Sequence, residues 1–418
     1  MNIRKLIPDF LIRHYHLFLA FLGACFFGFP SKKIKVIGIT GTNGKSSAVL
    51  MISKVLRRAG YKTACVSSIE IDINGVVDEN ATRMTMPGRF FIQKFLAKAV
   101  KAKCDYAIIE VTSQGIEQSR HRFIDFEIAA ITNLSPEHIE AHKGFDNYRK
   151  AKGKFFSYVK KTHILNFDDP YFEYFNSFEA DQKFCYGFKK DYFDSFFKIV
   201  KAKNISREEG KIIFNVENQE FLLNLLGDFN VYNALIAICV GMNQGIDLKT
   251  MALALLEIDL IPGRMEKIVS KPFEVVIDYA VTPDALENLY KNFQGKDIIG
   301  VFGACGGGRD KWKRKILGEI ASKYCKYIVL TDEDPYYENQ EEIINQISKG
   351  IPLEKEYSVF KIIDRKEAIK KAISLAQPGN VVIISGKGSE PSICIKGKKI
   401  SWSDKGIALE LIKKNEYR

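Results

Sequence analysis

The run Gly38-Ile39-Thr40-Gly41-Thr42-Asn43-Gly44-Lys45-Ser46-Ser47 has the residue types and spacing of a Walker-type phosphate loop. Its glycines let backbone N–H groups face phosphate oxygens, a helix N-terminus adds a favourable dipole, and Lys45 meets the β/γ-phosphates. The Ser46 hydroxyl then suits Mg²⁺, so Gly41, Thr42, Asn43, Gly44, Lys45, Ser46 and Ser47 are expected to hold a nucleotide. Glu110, at the exit of an apolar run, supplies a carboxylate that could complete the magnesium shell beside Ser46. Further on, His138 and His142 precede Tyr148-Arg149-Lys150-Ala151-Lys152. Taken singly, each of these is an ordinary surface or strand-end residue.

Such a loop works only between a strand and a helix. Ile34 to Thr40 is a β-branched run, and Val49, Ile52, Val55 and Leu56 recur at helical spacing within Ser46 to Ala59. Apolar strands are expected again at Tyr106–Val111, Ile128–Asn133 and His163–Asn166, with helical stretches between them, the rhythm of a parallel α/β sheet. Residues 184–223 alternate differently and predict a small antiparallel ribbon. Asn230 to Met242 reads as a buried helix, and Ile261-Pro262-Gly263-Arg264 breaks the chain. The α/β alternation then restarts, with strands near Val275–Asp278, Asp297–Phe302, Tyr327–Thr331 and Val381–Ser385.

The 418 residues allow two or three cored domains, and 46% hydrophobic with 27% charged residues is ordinary globular composition. The net charge of +12 comes from Lys and Arg spread along the whole chain, which argues against nucleic acid and for anionic small substrates. Eight scattered cysteines without a C-x-x-C pair predict free thiols in a cytoplasmic protein and no zinc site. His14 to Phe29 is apolar but too short to span a bilayer. Residues 1–33 therefore read as a helical segment, either packed on the domain behind it or in peripheral contact with a membrane surface or partner protein.

Together the motifs resemble the Mur ligase family, in its UDP-N-acetylmuramoyl-tripeptide synthetase branch, from Ile34 to the C-terminus. The resemblance is carried by GTNGKS, Thr85-Met86-Pro87, EVTSQGIEQSR at 110–120, TNLSPEHIEAH at 132–142, and the Tyr148-to-Lys152 block. It continues through Asn166-Phe167-Asp168-Asp169, GDFNVYN at 227–233, Pro262-Gly263-Arg264-Met265-Glu266, DYAVTP at 278–283, GGGRD at 306–310 and GKGSE at 386–390.

The resemblance implies a central P-loop-type ATPase domain with a parallel sheet at 34–261 and a C-terminal Rossmann-like α/β domain, binding the amino acid, at 262–418. It implies ATP and two Mg²⁺, with Ser46 and Glu110 at the first metal and His138 with a CO₂-derived carbamate on Lys152 at the second. An ammonium would repel Mg²⁺, whereas a carbamate can coordinate it. Asn233, Asp278 and Arg264 correspond to contacts with adenine, ribose and phosphates, so the nucleotide site is expected to be completed by domain closure. Thr85, Ser113, Gln118 and Arg120 match positions that contact a muramoyl-peptide acceptor, and Gly386 and Glu390 match positions that hold the incoming amino acid. The implied activity is ATP-dependent acid–amino-acid ligation through an acyl phosphate, in peptidoglycan precursor synthesis.

The chain also departs from the family pattern. Only about thirty residues precede the loop strand, which leaves little for a uridine-embracing domain and puts the UDP group of the acceptor in question. Glu333-Asp334-Pro335-Tyr336 stands where diaminopimelate-adding enzymes have Asp-Asn-Pro-Arg. Three consecutive acids, Asp332, Glu333 and Asp334, are expected to favour a cationic side chain such as lysine or ornithine. Ser389 and Val281 each replace a family histidine. A folylpolyglutamate synthetase shares the phosphate loop but not EVTSQGIEQSR or GRME. A catalytically silent scaffold relative would not need Lys45, Glu110, His138 and Lys152 together.

Overall fold

A computed structural model describes residues 8–80, 84–208, 210–269 and 271–416. The chain divides into two compact units, residues 1–136 with 145–259, and residues 137–144 with 260–418.

The first unit is built on eleven strands among the described residues. They are β1 (Lys35–Thr40), β2 (Thr63–Val66), β3 (Glu70–Ile73), β4 (Val76–Glu79), β5 (Tyr106–Glu110), β6 (Phe126–Ile131), β7 (Thr162–Asn166), β8 (Gln182–Gly187), β9 (Lys198–Glu208), β10 (Lys211–Val216) and β11 (Gln219–Leu223). Their order is β11-β10-β9-β8-β7-β6-β1-β5-β2-β3-β4. β1 lies between β5 and β6, parallel to both, with Ile39 opposite Glu110 and Thr40 opposite Ile131. The backbone ladder therefore fixes the loop after β1 against the ends of its two neighbours. Gly38 is needed within β1, because a Cβ there would lie 2.4 Å from the Phe155 ring and 2.9 Å from that of Phe126.

Helices of the same unit cover the sheet: α1 (Asp9–Phe26), α2 (Lys45–Arg58), α3 (Arg89–Lys101), α4 (Ser113–Glu117) and, after α5 (Ile139–His142) of the second unit, α6 (Phe145–Tyr158). α2 buries Val49, Met51, Ile52, Val55 and Leu56, the apolar stripe its spacing predicts. It packs on the helix Phe229–Asn243, which is buried on nearly every side. Ala20 and Ala24 of α1 are buried and the helix packs on α3, while Leu11, Tyr15, Phe18, Leu22 and Phe26 are exposed. Among the described residues no helix is long and apolar enough to cross a membrane.

The antiparallel ribbon expected at 184–223 is present in β9, β10 and β11, and it continues the main sheet. β8 pairs parallel with β7 and β9 parallel with β8, so the antiparallel β9–β10–β11 ribbon continues the main sheet to its edge. The short helix Phe172–Asn176 makes the crossover that parallel pairing requires, and its five residues are too few for a clear helical period. On the ribbon, Phe214 and Phe221 stack with ring centroids 5.4 Å apart.

The second unit has its own sheet, β12 (Glu266–Val269), β13 (Glu274–Asp278), β14 (Ile298–Phe302), β15 (Cys325–Leu330), β16 (Val359–Lys361) and β17 (Val381–Ser385), in the order β12-β13-β17-β14-β15-β16. All neighbours are parallel except the edge strand β12. Its core joins Val275, Ile277, Val301, Val329 and Ile384 to the helix Arg365–Leu375 through Ile369 and Ala372. Beneath it, Arg365 and Asp404 form a fully buried pair, with Nε–Oδ1 2.8 Å and Nη2–Oδ2 2.6 Å. Arg365 also donates to the carbonyls of Asp332 and Ser385.

Candidate active site

In the first unit the loop after β1 turns through Gly41 at φ 140° and enters α2 through Gly44 at φ 85°. Both glycines are demanded by their neighbours. A Cβ on Gly41 would lie 1.8 Å from Thr132 Oγ1, and one on Gly44 2.5 Å from Asn233 Oδ1. The segment after β6 frames the loop: Thr132 Oγ1 donates to the Asn43 carbonyl at 2.6 Å, Asn133 Nδ2 donates to the same carbonyl at 3.1 Å, and Asn43 N–H donates to Asn133 Oδ1 at 3.0 Å. Thr42 Oγ1 donates to the Ser135 carbonyl and shares a 3.0 Å hydrogen bond with Tyr148 Oη. Lys45 Nζ donates to the carbonyls of Gly41 (3.1 Å) and Thr42 (2.9 Å), and Ser47 is buried in the first turn of α2.

Glu110 is completely buried at the end of β5. Its Oε1 accepts from Ser68 N–H at 2.8 Å and Ser68 Oγ at 3.3 Å, and Ser68 Oγ lies 2.8 Å from Ser46 Oγ. Its Oε2 is buried with no hydrogen-bond partner. A carboxylate oxygen that is desolvated and unpaired is costly unless a cation or donor meets it, so this donor set fits a magnesium shell. Among the described residues no three His, Cys, Asp or Glu side chains gather as a metal cage. That is the usual situation for Mg²⁺, which takes one or two protein carboxylates and fills its shell with phosphate and water.

Lys152, on α6, is 1% exposed, and its Nζ donates to the Gly41 carbonyl at 2.8 Å. Burial, reinforced by the charge of Lys45, holds its pKa well below the ordinary lysine value. The amine is thereby biased to its neutral, nucleophilic form. Asn233 is buried on the helix Phe229–Asn243, where its Nδ2 donates to Asn230 Oδ1. The first unit thus gathers Gly41 to Ser47, Glu110, Lys152 and Asn233. Ser113 is buried at the start of α4, and Thr85 is half-buried. Arg120 donates from Nη2 to Gln118 Oε1 at 2.7 Å and from Nη1 to the Met86 carbonyl. Ser68 was not anticipated from the sequence, and Thr132 and Asn133 lie in a recognised motif without an expected role.

The second unit carries the remaining residues. His138 precedes α5 in a left-handed conformation, φ 56°, with its Nδ1 3.4 Å from Arg309 Nη1. Asp310 accepts from Ile139 N–H and Glu140 N–H, and Glu137 pairs with Lys313 at 3.0 Å, which ties the 137–144 segment to this unit. Asp278 accepts from Met265 N–H and Ala280 N–H, both at 2.7 Å, while burial, partly offset by Arg264, raises its pKa. The Arg264 guanidinium stacks 4.3 Å from the Tyr279 ring centroid.

The three consecutive acids do not form one anionic surface. Asp332 accepts from Gln340, and burial lifts its pKa to about 6. Glu333 is buried and accepts from the Cys305 thiol at 2.9 Å; burial raises its pKa, with the thiol and Lys387 opposing. Asp334 is already paired with Lys387 at 3.0 Å and caps the Cys394 N–H at 2.7 Å. Lys387 is also paired with Glu390, whose Oε1 accepts from Tyr279 Oη at 3.1 Å. Successive residues leaving a strand point in different directions, and that separates them. Glu333 is the carboxylate that remains beside Gly386, where a Cβ would stand 3.2 Å from its Oε2. Tyr336 takes φ 53°, and its backbone pairs with Cys394 and Lys396.

Residues 39–241 match the Mur ligase middle domain, and residues 263–388 match the Mur ligase glutamate ligase domain. Over 407 residues the chain is 36% identical to UDP-N-acetylmuramoyl-L-alanyl-D-glutamate--2,6-diaminopimelate ligase of Syntrophomonas wolfei, spanning 94% of this chain and 81% of that protein. The chain belongs to the Mur ligase family. This Mur ligase is also 38% identical, over 412 residues, to the UDP-N-acetylmuramyl-tripeptide synthetase of Borrelia garinii, spanning 95% of this chain and 80% of the relative. A solved diaminopimelate ligase structure superposes with TM-score 0.60 at 27% identity, covering 92% of this chain and 79% of that one. Folylpolyglutamate synthase of Mycobacterium tuberculosis superposes with TM-score 0.72 at 17% identity, covering 88% and 92%, a likeness of fold alone. The two α/β sheets of this Mur ligase and its membership among ATP-dependent ligases agree with the reading of the sequence.

Proposed function

We propose that this Mur ligase joins an amino acid to the peptide carboxylate of a muramoyl-peptide-type acceptor at the expense of ATP, in peptidoglycan precursor synthesis. The observation that carries this reading is the fully buried Glu110, with one oxygen unpartnered and the other linked through Ser68 to Ser46 at the head of the phosphate-loop helix. An acceptor carboxylate oxygen attacks the γ-phosphorus and ADP leaves; the amine then attacks the acyl carbon, phosphate leaves and one proton is released. Lys45 and the loop amides hold the phosphate charge in place through both steps, an electrostatic contribution that is large because the groups are preorganised. Ser46 and Glu110 would hold one Mg²⁺, and His138 with a carbamate on Lys152 the other; the metal would supply further charge neutralisation. Burial, which lowers the pKa of Lys152, favours attack of its amine on CO₂, which gives the carbamate and releases a proton. Asn233, Arg264 and Asp278 are assigned to the nucleoside and phosphates of ATP, and Thr85, Ser113, Gln118 and Arg120 to the acceptor.

For the amino acid we propose a cationic side chain of the lysine or ornithine class, directed at Glu333, with Gly386, Glu390, Asp334 and Tyr336 shaping the pocket. Tyr336 offers no guanidinium to a distal carboxylate, and Glu333 meets a cation with a desolvated charge. The free thiols support action in the cytoplasm, and the exposed apolar stripe of α1 supports a peripheral contact with a lipid surface or protein through residues 1–33. ATP-dependent phosphate release tests the reading, with lysine, ornithine and diaminopimelate each offered against muramoyl-dipeptide acceptors with and without UDP. No release with any pair would overturn the ligase assignment, and preference for diaminopimelate would overturn the cationic pocket.

A further inference from the structure

Beside the expected acceptor contact at Arg120 stands a second arginine that none of the assigned roles uses. Arg89, at the start of α3, donates from Nε to the Gln118 carbonyl at 3.0 Å and from Nη2 to His16 Nδ1 of α1. Arg120 bonds the side chain of that same Gln118, and its Nε is buried without a partner. The two guanidiniums thus sit on opposite ends of one residue, and burial first, then the charge of Arg89, depresses the basicity of Arg120. Among the described residues neither has a carboxylate within ion-pair distance. Two half-buried cations held side by side by carbonyl and imidazole acceptors repel each other. Such a pair is stable as a site when an anion is shared between them, and the planar forks match phosphate oxygens.

We propose that Arg89 and Arg120, with His16 orienting Arg89, form a subsite for a phosphate-class group of the acceptor. Arg120 alone balances one negative charge, and the additional guanidinium matches a second, as a diphosphate ester would bring. α1 therefore takes part in acceptor binding by fixing the rotamer of Arg89. The inference rests on the proposed acceptor role of Arg120. A nucleotide and a prenyl chain would each present this phosphate chemistry, and the titration distinguishes them.

The test is calorimetric titration of the full chain with its phosphate loop saturated by a non-hydrolysable ATP analogue. The ligands are muramoyl-L-alanyl-D-glutamate, its UDP-linked form, its short-chain prenyl-diphosphate-linked form, and pyrophosphate. Arg89→Gln should weaken one or both phosphate-bearing acceptors by about tenfold to a hundredfold, the range for a lost charge-assisted contact. It should leave the phosphate-free acceptor within about twofold. The acceptor that loses affinity identifies the source of the phosphate. Arg89→Lys, which keeps the charge but not the fork, should fall between, and His16→Ala should weaken binding in the same ligand-selective way. Equal weakening with and without phosphate, or no weakening at all, would overturn the subsite. If the muramoyl dipeptide fails to bind even the unaltered chain while pyrophosphate binds in an Arg89-dependent way, the acceptor reading falls and the anion subsite stands.

Discussion

Replacing Gly41 by alanine tests the phosphate loop at its tightest point. At φ 140° an L side chain is strained, which costs roughly 1–2 kcal/mol. The new Cβ would also stand 1.8 Å from Thr132 Oγ1, forcing that hydroxyl away from the Asn43 carbonyl it meets at 2.6 Å. Losing a buried hydrogen bond of this kind costs about 1–3 kcal/mol, so Gly41→Ala should destabilise the first unit by roughly 2–5 kcal/mol. Thr132→Ala alone should cost about 1–2 kcal/mol for the same bond. In the double variant the clash with Oγ1 is gone, while Thr132 Cβ and the Asn133 carbonyl, each at 3.1 Å, still press on the new methyl. The combined loss should therefore fall short of the sum of the two by about 1–3 kcal/mol, the signature of a shared contact. Urea unfolding of all four proteins, followed by tryptophan-independent far-UV circular dichroism, measures this cycle. Strict additivity would refute the argument that Thr132 is what excludes a side chain at position 41.

Glu110→Gln keeps the geometry that accepts from Ser68 but removes the charge; it should raise the Mg²⁺ concentration needed for half-maximal turnover by at least about tenfold with little change in melting temperature. Lys152→Ala should reduce turnover severely, and bicarbonate or short carboxylates should restore part of it in steady-state phosphate release. Because burial raises the pKa of Glu333, its charge is present above that raised value and is lost, as pH falls, earlier than for an ordinary glutamate. The KM for a cationic amino acid should rise on acidification in the unaltered chain, and Glu333→Gln should show a high KM with that pH dependence gone. Arg365→Ala leaves Asp404 buried without its partner and should cost about 3–5 kcal/mol in denaturant unfolding.

The strand, glycine turn and helix around Gly41 and Gly44 were legible because each is written locally. Glu110 was legible as a carboxylate ending an apolar strand, although only its zero exposure and unpaired oxygen distinguish it from a solvated cap. Ser68 was not, since it joins Ser46 and Glu110 from a loop between two strands and carries no spacing signal of its own. The directions of the acids at 332–334 were not legible, because composition counts charges without directions: one acid meets Gln340, one Cys305 and one Lys387. The antiparallel ribbon was legible from the alternation of its strands, whereas the parallel pairing that joins β8 to β7 and β9 is a long-range fact that no local period reports.

That edge position of β9, β10 and β11 has a practical consequence. The register that fixes the phosphate loop is set by β5, β1 and β6, five strands in from the end of the sheet at β11. The exposed two-residue turn at Glu217 and Asn218, between β10 and β11, is therefore a permissive place to graft a reporter peptide or a fluorophore. A tag there would follow the protein in assays or in cells without disturbing the strands that align its chemistry.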